Sequence, residues 1–181
     1  MTATIDQLTG GRLLVGVGAG WYRREFAWAG AAFRPHAERL AQTEEALQLL
    51  QALWSQPVVT FQGRFYQADK VTLAPKPVQK PGPPVLLGGG SDAVLRLAAR
   101  YGTGWMPFAP SLPGLVRRIG QLKAQLKADG HSAKQFQVSP SVVCQLGASR
   151  EEAWRFLPSQ VRIQSKKASH GILGPPDVCL E

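Results

Sequence analysis

The chain has 181 residues, of which 44% are hydrophobic and 18% charged, with 19 glycines, 14 prolines and a formal net charge of +9. That length and apolar content predict a single domain, residues 1–181, with a sizeable core, and exclude a disordered chain. The two cysteines, Cys144 and Cys179, lack CxxC spacing, which argues against a disulfide framework or a structural zinc site.

Residues 12–18, "RLLVGVG", form a short continuous apolar run after Thr9-Gly10-Gly11. Such a run fits a strand buried on both faces of a parallel sheet. From Pro35 to about Trp54 the spacing turns helical: Leu40, Leu47, Leu50 and Trp54 recur with Glu38, Gln42, Glu45 and Gln48 between them. "PVVTFQGRFYQAD" then reads as a hairpin turning at Gln62-Gly63. Five prolines in residues 75–84 exclude a helix or a central strand there.

"PVLLGGGSDAVLRLAARYGTGW" repeats the opening order of strand, glycines and helix. Ser91 or Asp92 can cap that helix, and Gly102 can end it in the left-handed conformation. Trp105 to Phe108 reads as a further short strand. Leu112, Leu115, Val116, Ile119, Leu122 and Leu126 define an amphipathic helix ending at Gly130. Its basic residues, within Arg117 to Lys134, read as a solvated face, so no nucleic-acid partner is expected. "FQVSPSVVCQLG" is the next strand candidate, weakened by Pro140, and Ser149 to Glu152 is a capping box opening a helix. No element is assigned after Pro158. No apolar run reaches the ~18 residues of a membrane span and no secretory leader pattern opens the chain. A soluble, cytoplasmic protein is the expectation. Alternating β and α elements predict a parallel α/β architecture.

Two loops could hold a phosphate. Gly16, Gly18 and Gly20 fail the dinucleotide fingerprint, because the position three after Gly18 is Trp21, and no Gly-Lys-Ser/Thr follows to make a P-loop. "GGGSD", with Gly89, Gly90 and Ser91, suits phosphate better: its backbone is open and a helix N-terminus follows. A plain capped turn fits that loop equally. His36, His131 and His170 stand in unrelated contexts and read as surface residues. Glu25 reads as a helix-starting acid. No catalytic residue and no metal ligand set is identified.

Five blocks in order, "LTGGRLLVGVGAGWYRREFAWAG", "ERLAQTEEALQLLQALW", "VTFQGRFYQ", "LAPKPVQKPGPPVLLGGGS" and "LAARYGTGW", resemble the luciferase-like monooxygenase family, in its branch using coenzyme F420 or FMN. The resemblance runs from about Ile5 to Glu152. It implies a partial (β/α)8 TIM-type barrel, roughly strands four to seven with an insertion hairpin, lacking the first three βα units and the last strand. It implies that Gly18, Gly20, Trp21 and Glu25 line the barrel mouth, and that Gly89, Gly90 and Ser91 bind the cofactor phosphate. The implied activity is transfer of hydride or oxygen to a small organic substrate. Two departures narrow it: Thr103-Gly104-Trp105 replaces the family's Asp-Gly-Trp, and Trp21 stands where the sugar-phosphate dehydrogenase branch has a catalytic Glu. An open barrel section exposes strand edges. A homo-oligomer, and as the alternative function a non-catalytic half-barrel that closes as a homodimer, are therefore also expected.

Overall fold

The computed structural model describes residues 1–108, 112–141, 144–157 and, for the backbone, 172–174. It opens with a helix absent from the sequence reading, α1 (Thr2–Leu8), which ends at two left-handed glycines, Gly10 and Gly11. Strand β1 (Val15–Gly18) follows, shorter than the apolar run that announced it. After a short helix, α2 (Arg23–Trp28), the long helix α3 (His36–Ser55) occupies the span its apolar spacing predicts. Lys76 donates to the Leu53 carbonyl at 2.8 Å and also to that of Gln56, satisfying acceptors that the end of α3 leaves open.

The hairpin forms from β2 (Val59–Gln62) and β3 (Gln67–Val71), antiparallel. The proline-rich stretch carries neither helix nor strand and leads into β4 (Val85–Gly88), α4 (Asp92–Tyr101) and β5 (Gly104–Met106). Ser91 is the N-cap of α4, its Oγ accepting from the Val94 N–H at 3.3 Å. Gly102 does not end the helix as expected: its φ is −98°, an extended conformation. Glycine is needed there for space, since a Cβ would meet the Ala98 carbonyl oxygen at 2.8 Å and Leu87 Cδ2 at 2.9 Å.

Helix α5 (Leu112–Ala128) ends before Gly130, whose φ is +75°. The candidate strand around Pro140 splits into β6 (Gln137–Val138) and β7 (Cys144–Leu146), on either side of the proline. Ser149 caps α6 (Arg150–Phe156), accepting from the Glu152 N–H at 3.1 Å. The tail contributes β8 (Ile172–Gly174), parallel to β7 in a two-stranded sheet of its own. A strand thus lies in a stretch where the sequence assigned none.

The main sheet is parallel, in the order β1-β4-β5-β6. Its register sets Val17, Leu87, Trp105 and Val138 side by side. That row faces the helices and packs with Leu47 and Trp54 of α3, Leu95 and Ala98 of α4, and Leu122 and Leu126 of α5. Successive strand residues point to opposite faces, so the next row, Gly18, Gly88 and Met106, faces away from the helices. This is a mixed α/β fold built as part of a parallel βα barrel, the class that the sequence predicts.

Asp6 ties the first helix to the proline-rich stretch. It is fully buried, and its carboxylate accepts from the Gln79 N–H at 3.0 Å and from Gln79 Nε2 at 2.7 Å. Burial alone pushes this carboxyl up, but the hydrogen bonds from Gln79, with the backbone of Val78 and Leu13, outweigh it and hold the group below its ordinary value. A lowered native pKa stabilises the fold above the unfolded carboxylate range, about 3.9, and the gain is lost as pH falls through the native pKa. The melting temperature of wild type should exceed that of Asp6→Asn at pH 7. The gap should shrink as thermal melts are taken below about pH 4.

Candidate functional site

The C-terminal ends of β1, β4 and β5 border a concavity of about 620 Å³. Gly16, Gly18 and Gly88 floor it, Gly89, Gly90 and Ser91 form one side, and Trp21, His36, Met106 and Phe108 stand around it. The floor is a shelf of backbone. A Cβ added at Gly16, Gly18 or Gly88 would meet nothing nearer than 3.6 Å. Packing within the described protein therefore does not demand glycine at these three positions. What their missing side chains leave is a flat floor over two adjacent strands, with the Met106 methyl within 4 Å of where a Cβ at Gly16 or Gly88 would stand.

The Gly89–Ser91 side is held from below. The indole Nε1 of Trp105 donates to the Gly89 carbonyl at 2.7 Å, and Trp105 is only 1% exposed. Gly89 has φ +129°, a conformation that side chains rarely adopt. Beyond Ser91, the first turn of α4 presents backbone N–H groups and the positive end of the helix dipole. Arg118 of α5 pairs with Asp92 in that turn, bringing a guanidinium to the same helix end.

Of the residues the sequence singled out, Gly18, Gly20, Trp21, Gly89, Gly90 and Ser91 come together around the concavity. Glu25 does not join them; it is exposed in the first turn of α2. His36 is exposed, as the sequence predicts, and also lines the concavity from the first turn of α3. Its neighbours in sequence gave no sign of this, because the contact depends on how α3 packs beside β1. Met106, Phe108 and Ser141 were missed for the same reason, Phe108 and Ser141 being joined by an isolated parallel bridge.

Chemically, the arrangement suits a flat ring on the glycine shelf, with aromatic and thioether walls and an anionic group at the α4 end. A concavity at the C-terminal ends of parallel strands is where βα-barrel enzymes place their sites. By fold the chain is part of such a βα barrel. More particularly, residues 1–172 match the family described as luciferase-like monooxygenase, and the chain belongs to it.

Among its relatives is the FMNH(2)-dependent dimethylsulfone monooxygenase of Pseudomonas putida, 37% identical over 132 residues, covering 73% of this chain and 36% of the relative. The F420-dependent glucose-6-phosphate dehydrogenase of Nakamurella multipartita is 33% identical over 113 residues, covering 62% of this chain and 32% of that one. Among solved structures, an F420-dependent secondary alcohol dehydrogenase in complex with an F420-acetone adduct superposes with a TM-score of 0.78 at 24% identity. That superposition covers 99% of this chain and 54% of the other. The chain thus spans about a third of the length of the curated relatives it matches.

Trp105→Phe keeps an aromatic ring in the core but removes the donor to Gly89. Losing the bond and the volume together should lower stability by on the order of 2 kcal/mol. Urea unfolding, followed by far-ultraviolet circular dichroism, measures it.

Proposed function

We propose that this chain is the cofactor-binding section, strands four to seven, of a flavin- or deazaflavin-dependent oxidoreductase or monooxygenase acting on a small organic substrate. The observation that carries it is the glycine shelf of Gly18 and Gly88 beside the Ser91-capped N-terminus of α4. FMN and coenzyme F420 share the two features this geometry suits, a planar ring system and a phosphate. Relatives named for each cofactor support both, and the site chemistry does not separate them.

In this reading Gly16, Gly18 and Gly88 lie under the ring, Trp21, Met106 and Phe108 flank it, and Gly89, Gly90 and Ser91 hold the phosphate. The bound cofactor supplies the redox chemistry, hydride transfer or oxygen activation. The protein's own part is to orient the ring against the shelf and to keep water from its covered face. His36 is the imidazole among the lining residues, and in this reading its ring nitrogens give or take a hydrogen bond at the ligand. Glu25, placed away from the concavity, is left to a structural role at the start of α2.

Titration with FMN and with coenzyme F420, followed by fluorescence, tests the assignment. Wild type should bind at least one of them. Ser91→Ala should weaken binding several-fold and cost about 1 kcal/mol as a lost helix cap. Gly88→Ala should abolish most binding with little change in stability, since its Cβ enters the shelf and not the packed side. No binding of either cofactor to folded wild type would remove the proposal.

A second reading concerns assembly. Among the described residues β1 has no strand beyond it in the sheet, and Leu14 beside it is 53% exposed. Such an edge invites pairing with a further strand, and a second copy of the chain is the partner we propose. Sedimentation at micromolar concentration should give a dimer; a well-folded monomer would refute it.

A further inference from the structure

The turn that carries Trp21 is held by a charge with no counterion among the described residues. Arg39, one turn into α3, is only 8% exposed, and among the described residues no carboxylate pairs with it. Its Nε donates to the Ala19 carbonyl at 3.1 Å, and its Nη1 donates to the Arg34 carbonyl. Its guanidinium carbon lies 4.1 Å from the centroid of Phe33. Phe33 in turn meets Phe26 edge-on, with ring centroids 5.0 Å apart. The circuit closes on Gly20: a Cβ there would lie 2.5 Å from Phe26 Cζ, and its φ is +74°.

Burying an unpaired charge is costly, and an aliphatic side chain would fill the same space at less cost. What the guanidinium supplies is geometry. Its planar fork reaches two carbonyls on different segments while its face stacks on a ring, which a lysine ammonium cannot do. One of those segments is the turn between β1 and Trp21. The other precedes His36.

We propose that Arg39 is a positioning residue for the concavity, locking the Ala19–Gly20 turn to the start of α3 and so holding Trp21 and His36 on the same wall. The clamp is a statement about this chain's backbone. Its consequence for ligand binding rests on the cofactor reading above, and the test separates the two.

Backbone order in 15N-labelled protein is measured by NMR relaxation in wild type, Arg39→Met and Arg39→Lys, with FMN titrations alongside. In Arg39→Met the order parameters of residues 19–21 should fall from about 0.85 to below 0.6, while residues 86, 87 and 105 stay rigid. FMN binding should weaken about tenfold, and Arg39→Lys should recover only part of each loss. Unchanged order at residues 19–21 in folded Arg39→Met would overturn the clamp, as would an equal loss of order across the sheet. If Arg39→Met does not fold, Arg39→Lys and Phe33→Leu decide by the same measure: local loosening supports the clamp and wild-type order refutes it. If wild type binds no FMN, the cofactor reading fails while the order parameters still decide the clamp.

Discussion

The parallel pairing of β1 with β4 is the constraint on which the rest of this molecule depends. Parallel strands cannot be joined by a tight turn, so the chain between them must leave the sheet and return along a crossover. Residues 19–84 are that crossover, and α3 is the helix of it that packs on the sheet. The pairing register brings Gly18 opposite Gly88. Two glycine-bearing strand ends that lie far apart in sequence thereby become one shelf. A one-residue slip of β1 against β4 would turn Val17 toward the concavity and put a branched side chain where Gly18 leaves the shelf flat.

Helix α3 then does two jobs with its two sides. Leu47 and Trp54 fill the core against the sheet. Its polar residues hold the segments around it: Glu45 accepts from the N–H groups of Arg64, Phe65 and Tyr66 at 3.0, 2.7 and 2.6 Å, fixing the hairpin tip. Glu38 pairs with both Arg34 and Arg64. Tyr101 of α4 accepts from Gln48 at 2.8 Å and donates to Glu44 at 3.0 Å. Burial pushes the Tyr101 phenol up, and the neighbouring Glu44 adds to that shift. The charges at the exposed ends of these contacts add little energy. The backbone contacts of Glu45 and Arg39 matter more, because each holds main-chain groups that have few other partners.

Legibility in the sequence followed the range of the interaction. The span of α3, the hairpin, the Ser91 cap and the Ser149 cap were readable, because each depends on residues a few positions apart. So were the glycine loops, whose composition announces close approach of backbone. Helix α1 was not readable, since what fixes it is Asp6 meeting Gln79, a contact across more than seventy residues. Gly102 was correctly marked as special for the wrong reason: the demand comes from Leu87 and the Ala98 carbonyl, and not from a left-handed turn. His36 and Glu25 exchanged prominence because membership of a concavity depends on packing, which sequence spacing does not report.

The same distinction separates the two halves of the proposed cofactor site. The phosphate end is local to one βα unit: β4 ends at Gly88, the loop follows, and Ser91 caps α4. A helix N-terminus and a few backbone donors are worth about 1–2 kcal/mol to an anion in a partly buried setting. The ring end is not local. It needs the β1–β4 register for its floor, Trp105 to hold Gly89, and Arg39 to keep the Trp21 turn in place. Apolar contact over a ring face, at about 25 cal/mol per Å² removed from water, outweighs the phosphate term once more than roughly 80 Å² is covered. In the proposed site, affinity would therefore be governed less by the glycine-rich loop that looks most like a ligand motif than by the long-range contacts that keep the shelf flat and its wall upright.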